Sequence, residues 1–418
     1  MNKTIFEAAV KSAGIALTFK NPADQTLSRF FRENRNFGPR ERQQIAEIVY
    51  SVIRHKRFLE CSLDQTDARL ICLLALNKIM GFSQSVLSNV ATNREMKTLE
   101  ANLSAKPTDL TPAEKFSLPD WLWDRLTITF GIDRSAQLAQ SLLRKANFDV
   151  RVNTVKSERK KILEALNEAD ISASPTQFSP IGIHIKNNIG LEKQPLFLDG
   201  MFEVQDEGSQ ILCQLVDARR GQMVVDFCAG AGGKTLALGA SMSNQGRIYA
   251  MDVSAARLER MKPRLKRSGL SNVFPQVIGS ENDPRLKRLF GKMDRVLIDA
   301  PCTGFGTLRR NPDLKWRKNV DDIAELSAKQ LNILNAASRL AKVGGRVIYA
   351  TCSILEEENE AVIDAFLSQN PEKFKVLDAR QILAKRGIDL PHSSPYLKLF
   401  PDEHQCDGFF GAILERAS

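Results

Sequence analysis

The chain has 418 residues, which at about 150 residues per domain suggests two or three domains. Hydrophobic residues make up 43% and charged residues 26%, and no run of ~18 apolar residues occurs, so a membrane-spanning segment is excluded. The N-terminal sequence MNKTIFEAAVKSAG lacks the apolar core of a secretory signal. These features predict a globular cytoplasmic protein without a membrane partner.

The charge balance favours nucleic acid as the partner. The chain has 59 Lys and Arg residues against 49 Asp and Glu residues, a net charge of +10, and both halves share the excess. Such a spread positive charge suits a polyanion. Seven cysteines without a CxxC pair, and only four histidines, predict neither a disulfide framework nor a metal site. We expect a monomer.

Residues 1–105 predict an all-helical domain. Apolar residues recur at helical spacing in Phe6–Ala13, Ile45–Ile53 and Leu70–Leu76, and the second of these helices follows Gly38-Pro39. The arginines between the apolar positions mark either a solvated face or an RNA-contacting face. The stretch 105–121 contains three prolines and predicts a linker.

Residues 117–200 predict a small α+β domain. After a short helical region that opens near Trp121, the segments FDVRVNTV and GIHIKN alternate in the manner of strands and flank one predicted helix, SERKKILEALNEA.

Residues 201–418 predict a doubly wound α/β domain, because apolar runs of strand length alternate with helical segments. The predicted strands are 223–227, 247–252, 273–278, 294–300 and 345–351, and the predicted helices are 233–242, 255–268, 284–290 and 323–342. A last candidate strand, 409–415, follows a loop too short for a crossover helix, which predicts an antiparallel strand at the end of the sheet.

The turn after the first of these strands predicts a ligand site. Its sequence, DFCAGAGGKT (226–235), has three glycines that let the backbone approach a ligand. It has no glycine at position 228 for a P-loop, and Thr235 breaks the dinucleotide pattern GxGxxG. Asp252 ends the next strand, where a carboxylate can accept both ribose hydroxyls. A nucleoside with a compact charged tail, such as S-adenosylmethionine, fits this combination.

Two cysteines follow neighbouring strands, in Asp299-Ala300-Pro301-Cys302 and Thr351-Cys352-Ser353. They suit methylation of carbon 5 of cytosine, a poor nucleophile. A thiolate that adds to carbon 6 turns the ring into an enamine, and a carboxyl group such as Asp299 can protonate ring nitrogen 3. One thiol would form the adduct, and the second would assist its release.

At these residues the chain resembles the RNA cytosine-5 methyltransferases of the Sun/NOL1/NOP2 group. The resemblance covers roughly residues 117–418 and rests on VQDEGSQ (204–210), the glycine loop, DAPCTGFGTLRRNPDLKW (299–316) and YATCSILEEEN (349–359). It implies a Rossmann-like methyltransferase domain, Cys352 as the nucleophile and Cys302 as the residue that assists release. The implied cofactor-binding residues are Cys228, Ala229, Gly230, Ala231, Gly232, Gly233, Lys234, Asp252 and Asp299. The helical N-terminus is similar to the NusB-like RNA-binding domain of the bacterial 16S ribosomal RNA enzymes of that group.

Two positions depart from the family pattern. An aspartate usually follows the third strand and contacts the adenine amino group, whereas here Ser280 stands at that place, so the contact would pass to Ser280 or Asn282. Alanine replaces the usual proline at Ala231.

Two other functions stay open: a catalytically weak RNA-binding assembly factor, and the same chemistry on tRNA. DNA cytosine methylation is disfavoured because Thr303 stands where a Pro-Cys-Gln motif has glutamine. A cluster of basic residues after Cys302 predicts RNA contacts: Arg309, Arg310, Lys315, Arg317 and Lys318.

Overall fold

The computed structural model describes residues 1–61, 63, 67–104, 110–186, 190–390 and 394–418. They form two compact units, one of residues 1–145 with 307–320 and the other of residues 146–306 with 321–418. The predicted linker begins with residues 105–109, which lie outside the described part of the chain. The domain limits 1–105, 117–200 and 201–418 stay predictions.

The predicted helical character of the N-terminal region is confirmed. Its helices are α1 (Lys3–Ala16), α2 (Ala23–Glu33), α3 (Pro39–Arg54), α4 (Lys56–Glu60), α5 (Ala68–Leu74), α6 (Gln84–Leu87), α7 (Asn93–Ser104), α8 (Pro112–Lys115), α9 (Asp120–Phe130) and α10 (Ile132–Leu142), with a π-helical turn over Ala75–Ile79. α3 begins at Pro39 because the Glu41 carboxylate accepts the Gly38 N–H at 2.7 Å. Among the described residues, no helix is long and apolar enough to cross a membrane.

The predicted α+β character of the next region is also confirmed. Its elements are β1 (Asp149–Val152), α11 (Arg159–Glu168), β2 (Ala173–Pro175), β3 (Gly182–Ile185), α12 (Pro195–Leu198) and β4 (Phe202–Val204). The strands pair antiparallel in the order β2-β3-β1-β4. Val150, Val152 and Ile183 on the strands pack with Ile162 of α11 and Phe202 in a small core of their own.

The remainder of the chain builds the large mixed sheet that the apolar runs predict. The elements in this part of the sequence are α13 (Glu207–Leu215), β5 (Met223–Asp226), α14 (Gly233–Ser241), β6 (Arg247–Asp252), α15 (Ala255–Ser268), β7 (Val273–Val277), β8 (Met293–Asp299), α16 (Leu314–Arg317), α17 (Val320–Ser338), β9 (Ala341–Thr351), α18 (Glu360–Gln369), β10 (Phe374–Leu377), α19 (Ala379–Ala384), β11 (Leu397–Leu399), α20 (Pro401–His404) and β12 (Phe409–Arg416). Of these, α16 belongs to the helical unit. Short 3₁₀ turns cover Leu191–Lys193, Pro284–Leu289, Phe305–Thr307 and Glu356–Glu358.

The topology of this sheet determines where a ligand can bind. Its strand order is β10-β12-β9-β8-β5-β6-β7, with β11 paired to β12. β5 to β9 are parallel, and β12 runs antiparallel to β9, as the sequence predicts. The predicted place of this strand at the end of the sheet is wrong, because β10 pairs with β12 and forms that end. Because both neighbours of β5 are later strands of the chain, the order reverses there, and the carboxyl ends of β5, β6, β8 and β9 meet at one edge.

The segment 307–320 follows the β8 loop in sequence but packs within the helical unit. The Trp316 indole N–H donates to the Ile53 carbonyl at 3.0 Å, and the Lys315 ammonium donates to the Arg54 carbonyl at 2.9 Å. Lys315 is 3% exposed and Arg309 is 6% exposed. The prediction that these two side chains contact RNA is therefore wrong, because both are buried inside this unit.

Candidate active site at the carboxyl edge of the sheet

The two predicted cysteines lie side by side. Cys302 follows β8 and Cys352 follows β9, and because these parallel strands are neighbours, the Sγ atoms are 3.4 Å apart. Both residues are partly exposed and both are free thiols. The hydrogen bond to Cys352 and burial raise the pKa of Cys302 well above its ordinary value. These two effects favour the protonated form of Cys302.

An ion pair lies at the same edge of the sheet. Lys234, in the first turn of α14, reaches across to Asp299 at the end of β8, with Nζ and Oδ2 2.7 Å apart. Burial acts to lower the pKa of Lys234, but the charge and hydrogen bond of Asp299 outweigh it and raise that pKa above its ordinary value. The ammonium also lies 5.4 Å from the centre of the Phe409 ring. The Lys234 ammonium, which keeps its proton, therefore lies near the ends of the strands that carry the two thiols.

The glycine loop after β5 has the conformation that its glycines allow. Gly230 has φ +54° and Gly232 has φ +84°, both in the left-handed region. A Cβ at Gly232 would come within 2.5 Å of the Met261 Cγ, whereas a Cβ at Gly230 would meet nothing within 4 Å. The space in front of Gly230 is therefore open to a ligand, and Gly232 lets the loop pack against α15.

Two aspartates support this loop. Asp226 is 1% exposed, and its Oδ2 accepts the Thr235 hydroxyl at 2.6 Å, while its buried Oδ1 has no partner among the described residues. Burial raises the pKa of Asp226 to about 7. Asp252 accepts the N–H groups of Gly230 at 2.8 Å and Ser254 at 2.7 Å, one on each carboxylate oxygen. Since each oxygen can accept twice, Asp252 keeps capacity for ribose hydroxyls.

The departure after β7 has a local structural consequence. Asp283, three residues beyond Ser280, accepts the Gly279 N–H at 2.8 Å and pairs with Arg285, which holds the pKa of Asp283 well below its ordinary value. The Ser280 hydroxyl accepts the Asn282 N–H at 3.2 Å. The proposed adenine contacts of Ser280 and Asn282 stay predictions.

Comparison with known proteins fits this geometry. A sequence model of the family described as 16S rRNA methyltransferase RsmB/F matches residues 213–415, and a model of the ferredoxin-like domain of the same proteins matches residues 118–192. A probable ribosomal RNA small subunit methyltransferase B from Synechocystis is 30% identical, over 91% of this chain and 92% of that protein.

The chain belongs to the RsmB/F family. It is an RNA cytosine-5 methyltransferase that depends on S-adenosylmethionine. Ribosomal RNA small subunit methyltransferase B from Vibrio cholerae is 30% identical over 81% of this chain and 73% of that protein. The crystal structure of PH0851 matches with a TM-score of 0.80 at 28% identity, over 100% of this chain and 99% of that chain. These likenesses extend through the helical and ferredoxin-like regions as well as the RsmB/F catalytic domain.

The sequence indicated most of this site. The loop after β5, Asp252, Asp299 and both cysteines come together at one edge, as their positions at strand ends imply. The sequence did not indicate the pairing of Lys234 with Asp299, whose positions are 65 residues apart along the chain. It also missed Asp226 as a buried, partly unpartnered carboxylate; its only signal was an acidic residue at the end of an otherwise apolar strand.

Proposed function

We propose that this protein methylates carbon 5 of a cytosine in 16S ribosomal RNA through a covalent cysteine adduct at carbon 6. The names of the family and of its relatives support the ribosomal substrate. The observation that carries the covalent mechanism is the pair of thiols 3.4 Å apart at the ends of two neighbouring strands. A cytoplasmic location and a monomeric state stay predictions, which fractionation and light scattering test.

The nucleophile in this proposal is Cys352. The hydrogen bond to Cys352 and burial raise the pKa of Cys302, which favours its protonated form, and an S–H on either sulfur can donate across the 3.4 Å contact. In this proposal the Cys302 S–H is the donor. A donor at this position stabilises a thiolate on Cys352, and the thiolate is the attacking form. The acid of the site, Cys302, is then the group placed to assist release.

The Lys234–Asp299 pair supplies the proton that the ring needs. When the Cys352 sulfur bonds to carbon 6, negative charge develops on the cytosine ring, and ring nitrogen 3 takes up the proton that Lys234 and Asp299 hold between them. Carbon 5 would then be an enamine carbon that attacks the methyl group, and the bond between this methyl group and the sulfonium sulfur of the cofactor would break. A base next removes the carbon 5 proton, the carbon 6–sulfur bond breaks, and the ring nitrogen returns its proton to the pair.

The glycine loop and its aspartates are proposed to hold the cofactor, which supplies an electrophilic methyl group when bound. Asp252 would accept the ribose hydroxyls, while the open face of Gly230 would admit the cofactor close to the backbone. The unpartnered Oδ1 of Asp226 offers a buried acceptor to a positively charged ligand. Asp299, Lys234 and Cys228 complete the proposed binding loop. Calorimetry tests this arrangement, since Asp252→Ala should abolish binding of S-adenosylmethionine.

The two cysteines give the decisive experiment. Cys352→Ser should lose methyl transfer and form no adduct, whereas Cys302→Ser should still attack and methylate but remain bound to its RNA, visible as a slow band on a denaturing gel. Trapped RNA in Cys352→Ser and none in Cys302→Ser would exchange the two roles. If neither variant lost activity, covalent catalysis would be the wrong mechanism.

Bisulfite mapping of total RNA, with and without the gene, tests the substrate. Loss of one methylated cytosine in 16S ribosomal RNA is the expected result, and loss in tRNA instead would move the same chemistry to the alternative substrate. If no methylated position changed while the purified protein still bound ribosomal RNA, the assembly-factor alternative would replace the enzyme.

A further inference from the structure

A buried carboxylate behind the two cysteines has no part in the mechanism above. Glu358 lies at the end of the 3₁₀ turn after β9 and is 0% exposed. Its Oε1 accepts the Thr303 backbone N–H at 2.8 Å and the Gln330 side-chain amide at 3.0 Å. Its Oε2 accepts the Thr303 hydroxyl at 2.6 Å and the Ser353 hydroxyl. Four donors satisfy a group that would otherwise be costly to bury.

The donors to Glu358 come from both cysteine loops. Thr303 directly follows Cys302, and Ser353 directly follows Cys352, so a single carboxylate is bonded to the residue after each thiol. The Thr303 and Ser353 hydroxyls are themselves 3.3 Å apart. Movement of either loop would break hydrogen bonds in a buried site, which fixes the two chain segments relative to each other.

Further hydrogen bonds hold Glu358 itself in place. The Tyr349 hydroxyl donates to the Glu358 carbonyl at 2.6 Å and to the Gln330 side-chain oxygen at 3.1 Å. Gln330, from α17, also donates to the Pro301 carbonyl at 2.9 Å, just before Cys302. The network therefore extends from α17 through Glu358 to the β8 and β9 loops. Since Glu358 has full burial and four donors, it is not placed to touch RNA or to exchange a proton with it.

We propose that Glu358 is a positioning residue that holds Cys302 and Cys352 at the separation needed to pass from adduct formation to adduct release. This inference rests on the covalent mechanism proposed above. Displacement of catalytic groups by about 1 Å can cost on the order of 100-fold in rate. Loss of the hydrogen bonds from Glu358 to both loops should therefore lower the reaction rate strongly. The negative charge of Glu358 also contributes, after the Cys352 hydrogen bond and burial, to the raised pKa of Cys302.

Two substitutions at position 358 distinguish partial from complete loss of the hydrogen bonds that Glu358 makes to the two loops. Glu358→Gln keeps the length, and its amide can donate to hydroxyls that are able to accept, so the clamp survives in part. Glu358→Ala removes the clamp. We expect Glu358→Ala to lower kcat by about 100-fold with the KM for RNA within about twofold, and Glu358→Gln to restore kcat to within about tenfold of wild type.

Variants that remove one of the two hydroxyls test each cysteine loop separately, and they leave a smaller cavity than Glu358→Ala. Thr303→Val loosens the Cys302 arm, so protein trapped on ordinary RNA should accumulate as in Cys302→Ser. Ser353→Ala loosens the Cys352 arm, so adduct formation should slow. Adduct formation is measured with RNA that carries 5-fluorocytosine, because its fluorine prevents the removal of a carbon 5 proton and stops release.

Asp217→Ala is the matched control. Asp217 is another buried carboxylate of this unit, 4% exposed and paired with Arg386 at 2.6 Å and with Arg295 and Arg346. Within the described part of the chain, it makes no hydrogen bond or ion pair to either cysteine loop. It should lower stability without changing the ratio of adduct formation to release. The proposal is overturned if Thr303→Val and Ser353→Ala slow the same step, if Asp217→Ala traps RNA, or if folded Glu358→Ala keeps wild-type kcat. Cys352→Ser in the same assay keeps the two failures apart: an adduct that forms without Cys352 reassigns the nucleophile, and methyl transfer without any adduct refutes the covalent mechanism on which this inference rests.

Discussion

Replacing Asp226 by asparagine tests the electrostatics beneath the glycine loop. The pKa of this carboxyl is raised by burial to about 7 in the folded protein, against about 3.9 for an unfolded aspartate. At a pH between these two pKa values, the folded state binds more protons than the unfolded state. The stabilisation that protonated Asp226 adds to the folded state is therefore complete below about pH 4. It is lost as the pH rises to about 7. Asp226 therefore destabilises the protein at neutral pH, opposite to a salt-bridged aspartate.

The two pKa values set the magnitude. Ionised Asp226 costs about 4 kcal/mol at high pH, of which about half is already present at pH ~5.5, because the unfolded aspartate is ionised there. The free energy of unfolding of Asp226→Asn relative to wild type should therefore rise by about 2 kcal/mol between pH ~5.5 and ~8.5. The variant gains stability at neutral pH but loses the negative charge of the carboxylate, so under the proposed binding arrangement its affinity for the positively charged S-adenosylmethionine should fall.

The assay must report on the unit that contains Asp226. All three tryptophans, Trp121, Trp123 and Trp316, belong to the helical unit, so their fluorescence reports on the wrong part of the chain. The urea dependence of hydrogen exchange in peptides covering β5 and β6 is suitable, with Asp124→Asn on the exposed surface of α9 as the control. A stability difference that does not change with pH, or that falls as the pH rises, would refute the reasoning.

Three further substitutions test other parts of the structure. Lys234→Met should abolish methyl transfer and cost about 1–2 kcal/mol because the partly exposed Asp299 loses its counter-charge. Adding Asp299→Asn should restore some stability but no activity, as a double-mutant cycle measures. Lys315→Met should leave the salt dependence of RNA affinity unchanged, and a log–log slope reduced by ~0.7 would instead place its ammonium on a phosphate. Gly232→Ala should lower the free energy of unfolding by ~1–3 kcal/mol through its positive φ and the Met261 contact, whereas Gly233→Ala, whose φ is ordinary, should not; thermal denaturation compares them.

The sheet and most of the site could be predicted because their signals are local. Buried parallel strands appear as short apolar runs, and functional residues of such sheets follow the carboxyl ends of the strands. Cys302 and Cys352 could therefore be placed together without knowledge of the structure. The segment that reads as the helix 284–290 is a 3₁₀ turn over Pro284–Leu289, and β10 was missed because its residues are only half buried.

What could not be predicted depends on contacts between distant parts of the chain. Lys315 looks like a solvated or RNA-binding lysine in a basic stretch, and only its contact with the Arg54 carbonyl, 261 residues away, identifies it as buried. Likewise Glu356 is exposed and Glu358 fully buried within one run of three glutamates. Local composition is the same for both residues, so only the tertiary environment distinguishes a surface carboxylate from one that clamps two loops.

In the mechanism proposed above, one hydrogen bond gives the two thiols different roles. Before attack, the Cys302 S–H would stabilise a thiolate on Cys352. At release, the carbon 6–sulfur bond would break as the Cys352 sulfur takes the Cys302 proton, while a base accepts the carbon 5 proton. A serine hydroxyl at position 302 still donates but is a far weaker acid, so it cannot pass its proton to the departing sulfur. Attack would therefore survive Cys302→Ser while release would not, provided that the clamp at Glu358 keeps the two positions 3.4 Å apart as in the resting protein.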